Sequence, residues 1–133
     1  ILQTAIKEKF DVSLPLTQIK TAVQNALYVG VWEKSALLQK SGVVVPKKPE
    51  GYGVSGSVIA GRDAAGVLWG VQTAIQLLSA DETGPYLPNV TVQDYPTLAF
   101  RGVHLFHGQK ALPFHQKLIS KIFSPYKLNT LLI

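Results

Sequence analysis

Few side chains in this sequence could move a proton near neutral pH. Three histidines, His104, His107 and His115, fall in its last third, and imidazole is the group whose ordinary pKa lies closest to 7. On a strand and its exit, positions 104 and 107 project to opposite sides. His115 falls in the next element, and no carboxylate completes a triad. A metal site is therefore not expected; the plain assignment is one wall histidine and two at the surface. There is no cysteine, which removes thiol nucleophiles, thiolate zinc sites and disulfides. The glycine-rich run GYGVSGSVIAGR (51–62) lacks the Gly-Lys-Ser/Thr of a phosphate loop, so its glycines are read as turn geometry. No cofactor is expected. Trp69 and Tyr52 are assigned to packing rather than to sugar stacking. Asn89-Val90-Thr91 is a glycosylation sequon, with meaning only in a eukaryotic secretory setting.

The elements that must position these groups follow from hydrophobic spacing. Apolar residues at 2, 5, 6 and 10 predict a helix over 1–10. NALYVGV (25–31) is rich in strand formers, and EKSALLQK (33–40) is a short helix closed by Gly42. PKKPEG is a loop, because its two prolines cannot serve a ladder. Val54 and Val58-Ile59 flank Ser55-Gly56-Ser57 as a tight hairpin. The clearest helix runs from the N-cap Asp63 to Ala80, with a stripe of Ala64, Leu68, Val71, Ile75 and Leu78 for burial. Gly66 and Gly70 each cost about 1 kcal/mol inside a helix, so another backbone is expected close to that face. VTVQDYP (90–96) is an edge strand or extended arm. FRGVHLF (100–106), LPFHQKLISKIF (112–123) and LNTLLI (128–133) then form a strand, a crossover helix and a parallel strand.

Composition bounds the class of molecule. The 133 residues are 47% hydrophobic and 16% charged, which excludes a disordered tail. The formal net charge is +5, yet Arg62 and Arg101 are the only arginines and the lysines are scattered. That is a solvated surface rather than a nucleic-acid patch. No apolar run approaches the roughly 20 residues that cross a bilayer, so neither nucleic acid nor membrane is expected as a partner. The chain opens at Ile1 and contains no methionine, so it is expected to be a segment of a longer or processed protein. A boundary is expected at Tyr95–Ala99, giving an α+β domain over 1–97 and a βαβ unit over 98–133. Two parallel strands cannot bury both faces of their own sheet. The second part is therefore expected to open a larger sheet or barrel.

Taken in order, several stretches resemble glycoside hydrolase family 20, best known for its β-N-acetylhexosaminidases. They are Gly51-Tyr52, Gly61, Asp63, Gly66, Gly70-Val71-Gln72-Thr73, Gln76-Leu77-Leu78, Asp94, Pro96, Arg101-Gly102-Val103 and Tyr126-Lys127-Leu128-Asn129. The resemblance covers about residues 50–133 and extends to glycosidases of families 84 and 67, whose barrels follow the same leading domain. It implies a zincin-like α+β domain, non-catalytic, with a small, largely antiparallel sheet covered by helices on one face. The name describes a shape only, because no H-E-x-x-H occurs. After it would come the first strand, helix and second strand of a truncated (β/α)8 TIM barrel.

The resemblance also implies a chemistry. In family 20 the substrate's 2-acetamido oxygen attacks the anomeric carbon, and an Asp-Glu pair orients the amide and protonates the leaving oxygen. This sequence ends before that pair, and none of its eight acidic residues stands in the matching motif. No catalytic residue is assigned, and the segment alone is not expected to hydrolyse anything. The carbohydrate would be met through the absent part of the barrel, and the remainder of the same chain is the expected partner. Sites on barrels lie at the carboxyl ends of strands, here Phe106-His107-Gly108-Gln109. Family members usually carry an aspartate and, three residues on, a sugar-binding arginine; here those positions are Phe106 and Gln109. Three outcomes stay open: Lys110 or His107 compensates, the substrate differs from a terminal N-acetylhexosamine, or activity is lost. The substrate-binding candidates are His107, Gln109 and Lys110. A degenerate, non-catalytic binding or scaffolding barrel is the alternative. An extracellular or periplasmic location is typical of the family.

Overall fold

Asp63 starts the helix around which the first part of the chain is built. The computed structural model describes residues 1–106 and 108–133 and divides into two compact units, Ile1–Tyr95 and Pro96–Ile133. Unit 1 contains α1 (Leu2–Phe10), β1 (Tyr28–Val31), a 3-10 turn (Trp32–Lys34) and α2 (Ala36–Lys40). They are followed by the hairpin β2 (Tyr52–Ser55) and β3 (Val58–Gly61), α3 (Ala64–Leu77), β4 (Ser79–Asp81), β5 (Gly84–Tyr86) and β6 (Thr91–Asp94). The main sheet has the order β1-β3-β2-β6. β1 runs parallel to β3, while β2 pairs antiparallel with β3 and with β6. The fold is thus α+β with a mixed sheet whose pairings are mostly antiparallel, and β6 is the expected edge strand.

Side-chain alternation along β3 sends neighbouring residues into two cores. Ile59 joins Tyr52, Val54, Trp69, Val71 and Ala74 beneath α3. Ala60 joins Leu38 of α2 and Val43 on the other side. This corrects the expectation of helices on one face: α2 and the segment through Val43 cover the face opposite α3. The reason is visible in the strands. Gly30 and Gly53 leave room on that face, and a Cβ at Gly30 would stand 3.2 Å from a Leu38 methyl.

The buried arc of α3 is wider than the expected stripe, of which Val71 and Leu78 are buried and Leu68 and Ile75 pack against the core. Gly66, Trp69, Gly70, Val71, Gln72 and Ala74 are buried, whereas Ala64 is exposed and Leu68 and Ile75 are half-buried. The small residues lie innermost because they let the helix approach the sheet. At Gly66 an added Cβ would run into the Gly51 carbonyl oxygen, which is the close backbone approach expected there. At Gly70 the neighbours are the Ile59 and Tyr52 side chains. The helix stops at Leu77, short of the expected Ala80, because Ser79–Asp81 pairs with Gly84–Tyr86 as a small hairpin.

Unit 2 contains β7 (Gly102–His104), α4 (Leu112–Leu118) continued by a π-helical turn (Ile119–Phe123), and β8 (Thr130–Leu132). β7 and β8 pair in parallel with Gly102 opposite Thr130. Glycine is required there, since a Cβ at position 102 would stand 2.7 Å from the Thr130 Cβ.

Candidate functional site

The loop after β7 carries the residues proposed to touch substrate. Gln109 and Lys110 are both exposed, and Lys110 takes a left-handed backbone with φ 60°. No hydrogen bond from either side chain occurs among the described residues. His107 lies outside the described residues. His104 is exposed at the end of β7, and His115 stands in α4. No group of three or more His, Asp or Glu able to hold a metal ion occurs among the described residues.

The polar side chains that do converge belong to two clamps. In unit 1, Asp63 caps α3 by accepting from the Gly66 N–H at 2.8 Å, and its other oxygen accepts from the Glu50 N–H at 2.9 Å. Glu50 in turn accepts from the Trp69 indole at 2.6 Å. The buried Tyr52 hydroxyl donates to Asp94 at 2.8 Å and lies 2.8 Å from the Thr73 hydroxyl. Asp94 also accepts from the Tyr95 N–H at 2.8 Å. The first set ties the α3 cap to the loop before β2, and the second joins α3, β2 and β6. Each carboxylate already accepts N–H or O–H donors, an arrangement that fixes backbone and carries no acid/base pair. The roles of Glu50 and Thr73 escaped the sequence reading; Thr73 stood within the Gly70-Val71-Gln72-Thr73 match without an assigned role, and the only signal for Glu50 was adjacency to Gly51-Tyr52.

In unit 2, Arg101 donates through Nε to the Lys127 carbonyl at 2.8 Å and through Nη1 to the Leu98 carbonyl at 2.7 Å. Asn129 accepts from the Arg101 N–H at 3.0 Å and donates to the Ala99 carbonyl at 2.8 Å. These bonds lock the entry of β7 to that of β8. Unit 1 also holds an open cavity of about 470 Å³, lined by Ile6, Leu14, Leu27, Tyr28 and Leu87 among others, with no carboxylate or histidine in its wall. Its wall is mostly apolar, and its titratable side chains are the phenols of Tyr28 and Tyr86.

Several residues of the clamps, among them Tyr52, Asp63, Thr73, Asp94, Arg101 and Asn129, are ones on which the family resemblance rested, and comparison with known proteins bears out the family. The family model for glycosyl hydrolase family 20, domain 2, matches residues 3–95. The chain belongs to glycoside hydrolase family 20. A β-hexosaminidase of Porphyromonas gingivalis is 28% identical over 116 residues, which is 79% of this chain and 14% of that protein. Among solved structures, a family 20 β-N-acetylglucosaminidase aligns with TM-score 0.56 and 33% identity, covering 67% of this chain and 19% of its own. The structure of CpGH84B aligns with TM-score 0.55 and 27% identity, covering 71% and 18%. The chain therefore spans less than a fifth of the length of these relatives. Within the family 20 domain, the Tyr52–Thr73–Asp94 and Asp63–Glu50–Trp69 bonds explain why those residue types stand together: they assemble the domain. Tyr52 and Trp69 are buried, as expected for packing residues.

Proposed function

We propose that this chain is the accessory region of a β-hexosaminidase-like glycosidase, bracing a catalytic barrel that the rest of the polypeptide completes. Residues 1–97 form the non-catalytic domain, and residues 98–133 supply the first strand, helix and second strand of the (β/α)8 barrel. The observation that carries this reading is the fate of the acidic residues. Asp63, Glu50 and Asp94 serve as hydrogen-bond acceptors in a structural network, which supports a bracing rather than a catalytic role for these three. Gln109 and Lys110 follow the carboxyl end of β7 in sequence, where barrel enzymes bind substrate, and this supports them as candidates for contact with the sugar. The substrate class is a β-linked N-acetylhexosamine, as the names of the family 20 relatives suggest.

The likeness to CpGH84B supports a leading domain that is also found in that protein. One experiment tests the accessory role. The full-length protein is assayed on a panel of aryl glycosides beside a fragment of residues 1–133. Release from the N-acetylhexosaminides by the full-length protein only is the expected result. Turnover by the fragment would overturn the accessory role, and silence across the panel would favour the degenerate scaffold.

A further inference from the structure

The side-chain amide of Asn129 donates to the Ala99 carbonyl at 2.8 Å and accepts from the Arg101 N–H at 3.0 Å. Bonds to the carbonyl of 99 and the N–H of 101 are those that a residue opposite Phe100 would make with its backbone in a parallel ladder. The amide therefore adds a rung to the β7–β8 pair, ahead of Gly102 and Thr130, the first ladder partners. The Thr130 hydroxyl donates to the same amide oxygen at 3.0 Å and holds the group in that orientation. Arg101 reaches the other way. Its Nε donates to the Lys127 carbonyl at 2.8 Å, and its own carbonyl accepts from the Asn129 N–H at 2.8 Å. Each strand thus sends a side chain to the backbone that leads into the other.

Such an exchange fixes register. Parallel strands covered on both faces read as continuous apolar runs, as Leu131-Leu132-Ile133 does. A run of that kind can slide without turning a polar face inward, so alternation does not specify its register. Sliding by one residue carries a strand about 3.3 Å, whereas misplacing reacting groups by about 1 Å costs about a hundredfold in rate. We propose that Asn129 and Arg101 are positioning residues of the glycosidase. They fix the height of β7 against β8, and with it the level of the carboxyl ends on which a barrel builds its active site. This inference rests on the glycosidase reading and adds the groups that set the geometry of its first two barrel strands.

The test uses the full-length protein and its variants, assayed on an aryl N-acetyl-β-D-glucosaminide well below their unfolding midpoints. Asn129→Ala removes the added rung and is expected to lower kcat/KM about a hundredfold. Arg101→Lys keeps the charge but trades a two-armed donor for a single point, and is expected to cost about tenfold. Phe123→Leu trims a buried ring of unit 2 and controls for stability alone. It should lower the unfolding midpoint at least as far, yet hold kcat/KM within about twofold. Should Asn129→Ala fail to fold, Arg101→Lys decides. If the folded variants at 101 and 129 lose no more kcat/KM than Phe123→Leu, the positioning role is overturned and the glycosidase reading stands. A crystal structure of each variant reads the register directly: β7 displaced along β8 by about 1 Å or more is expected. Gly102 unmoved from its place opposite Thr130 overturns the inference. A wild type silent on every glycoside sinks the glycosidase reading and the positioning role with it, and a displaced β7 then sustains the register lock alone.

Discussion

The two units are held together by different forces. In unit 1 a mixed sheet is packed on both faces: Tyr52, Val54 and Ile59 are closed off beneath α3, and Leu38, Val43 and Ala60 on the far side. In unit 2 Phe123 is the only described apolar residue that is buried, while Leu98, Phe106, Leu112 and Tyr126 are each more than half exposed. What fixes unit 2 is a set of polar bonds from Arg101 and Asn129 at one end of its strand pair. Burial stabilises at about 25 cal/mol per Å² of apolar surface, whereas an exposed hydrogen bond adds only about 1 kcal/mol net. The polar set specifies register; it does not supply a core. Two separable tasks follow for one chain: a domain that folds on its own burial, and a strand-helix-strand unit whose order depends on apolar cover.

Cutting the molecule between the units breaks this comparison most severely. Residues 1–95 alone are expected to keep a single cooperative denaturant transition and near-native circular dichroism. Residues 96–133 alone are expected to show no cooperative transition, because pieces below about 40 residues seldom bury enough surface. A sharp melting curve for the shorter piece would erase the distinction.

Glycine supplies the next largest effect, since each unit has a glycine where an added Cβ would run into a neighbour. Gly66→Ala drives a Cβ into the Gly51 carbonyl, and the cost is expected at about 3 kcal/mol by urea titration. Helix propensity alone would have made that change favourable by about 1 kcal/mol, so the sign tests the close approach. Gly102→Ala meets Thr130 and is expected to strip amide protection from β7 and β8 while leaving that of α3 unchanged. Loss of protection in α3 would show that the units do not stabilise independently.

The same contrast explains what could be read from residues alone. The hairpin, the Asp63 cap, the parallel β7–β8 pair and the family were legible, because turn glycines, caps and signature spacing are local properties. The innermost face of α3 was not. A periodicity count gives weight to Leu68 and Ile75, whereas the sheet selects Gly66, Gly70 and Ala74 for their lack of bulk. The second layer carried by α2 was hidden likewise, because Gly30 and Gly53 mark an accommodating face by absence. The β4–β5 hairpin was read as the end of a helix, since Ser79–Asp81 has no strand composition. For the candidate site, the loop was legible by its place after a strand, and Gln109 and Lys110 stand there exposed. Partners for them could not be read, because they depend on residues distant in sequence.

The smallest effect concerns a polar turn in unit 1, set against the polar clamp of unit 2. Asp81 accepts from the Thr83 hydroxyl at 2.6 Å and the Thr83 N–H at 2.8 Å. These bonds, the hydroxyl first, hold its carboxyl below the ordinary 3.8. A depressed carboxylate contributes stability that is present above its unfolded value and lost as pH falls through the folded one. The β4–β5 turn should therefore be at full strength at neutral pH and loosen only below about 3.8. The unit 2 clamp pairs a guanidinium and an amide with backbone carbonyls and an amide N–H. Thr83→Ala removes the stronger donor and leaves the backbone one, so the Asp81 side-chain carbonyl should titrate at a higher pH by NMR, still short of 3.8. Thr83→Ser keeps a hydroxyl and should titrate like the wild type. If Thr83→Ala leaves the titration unmoved, the backbone N–H alone sets the shift, and the hydroxyl only fills the turn.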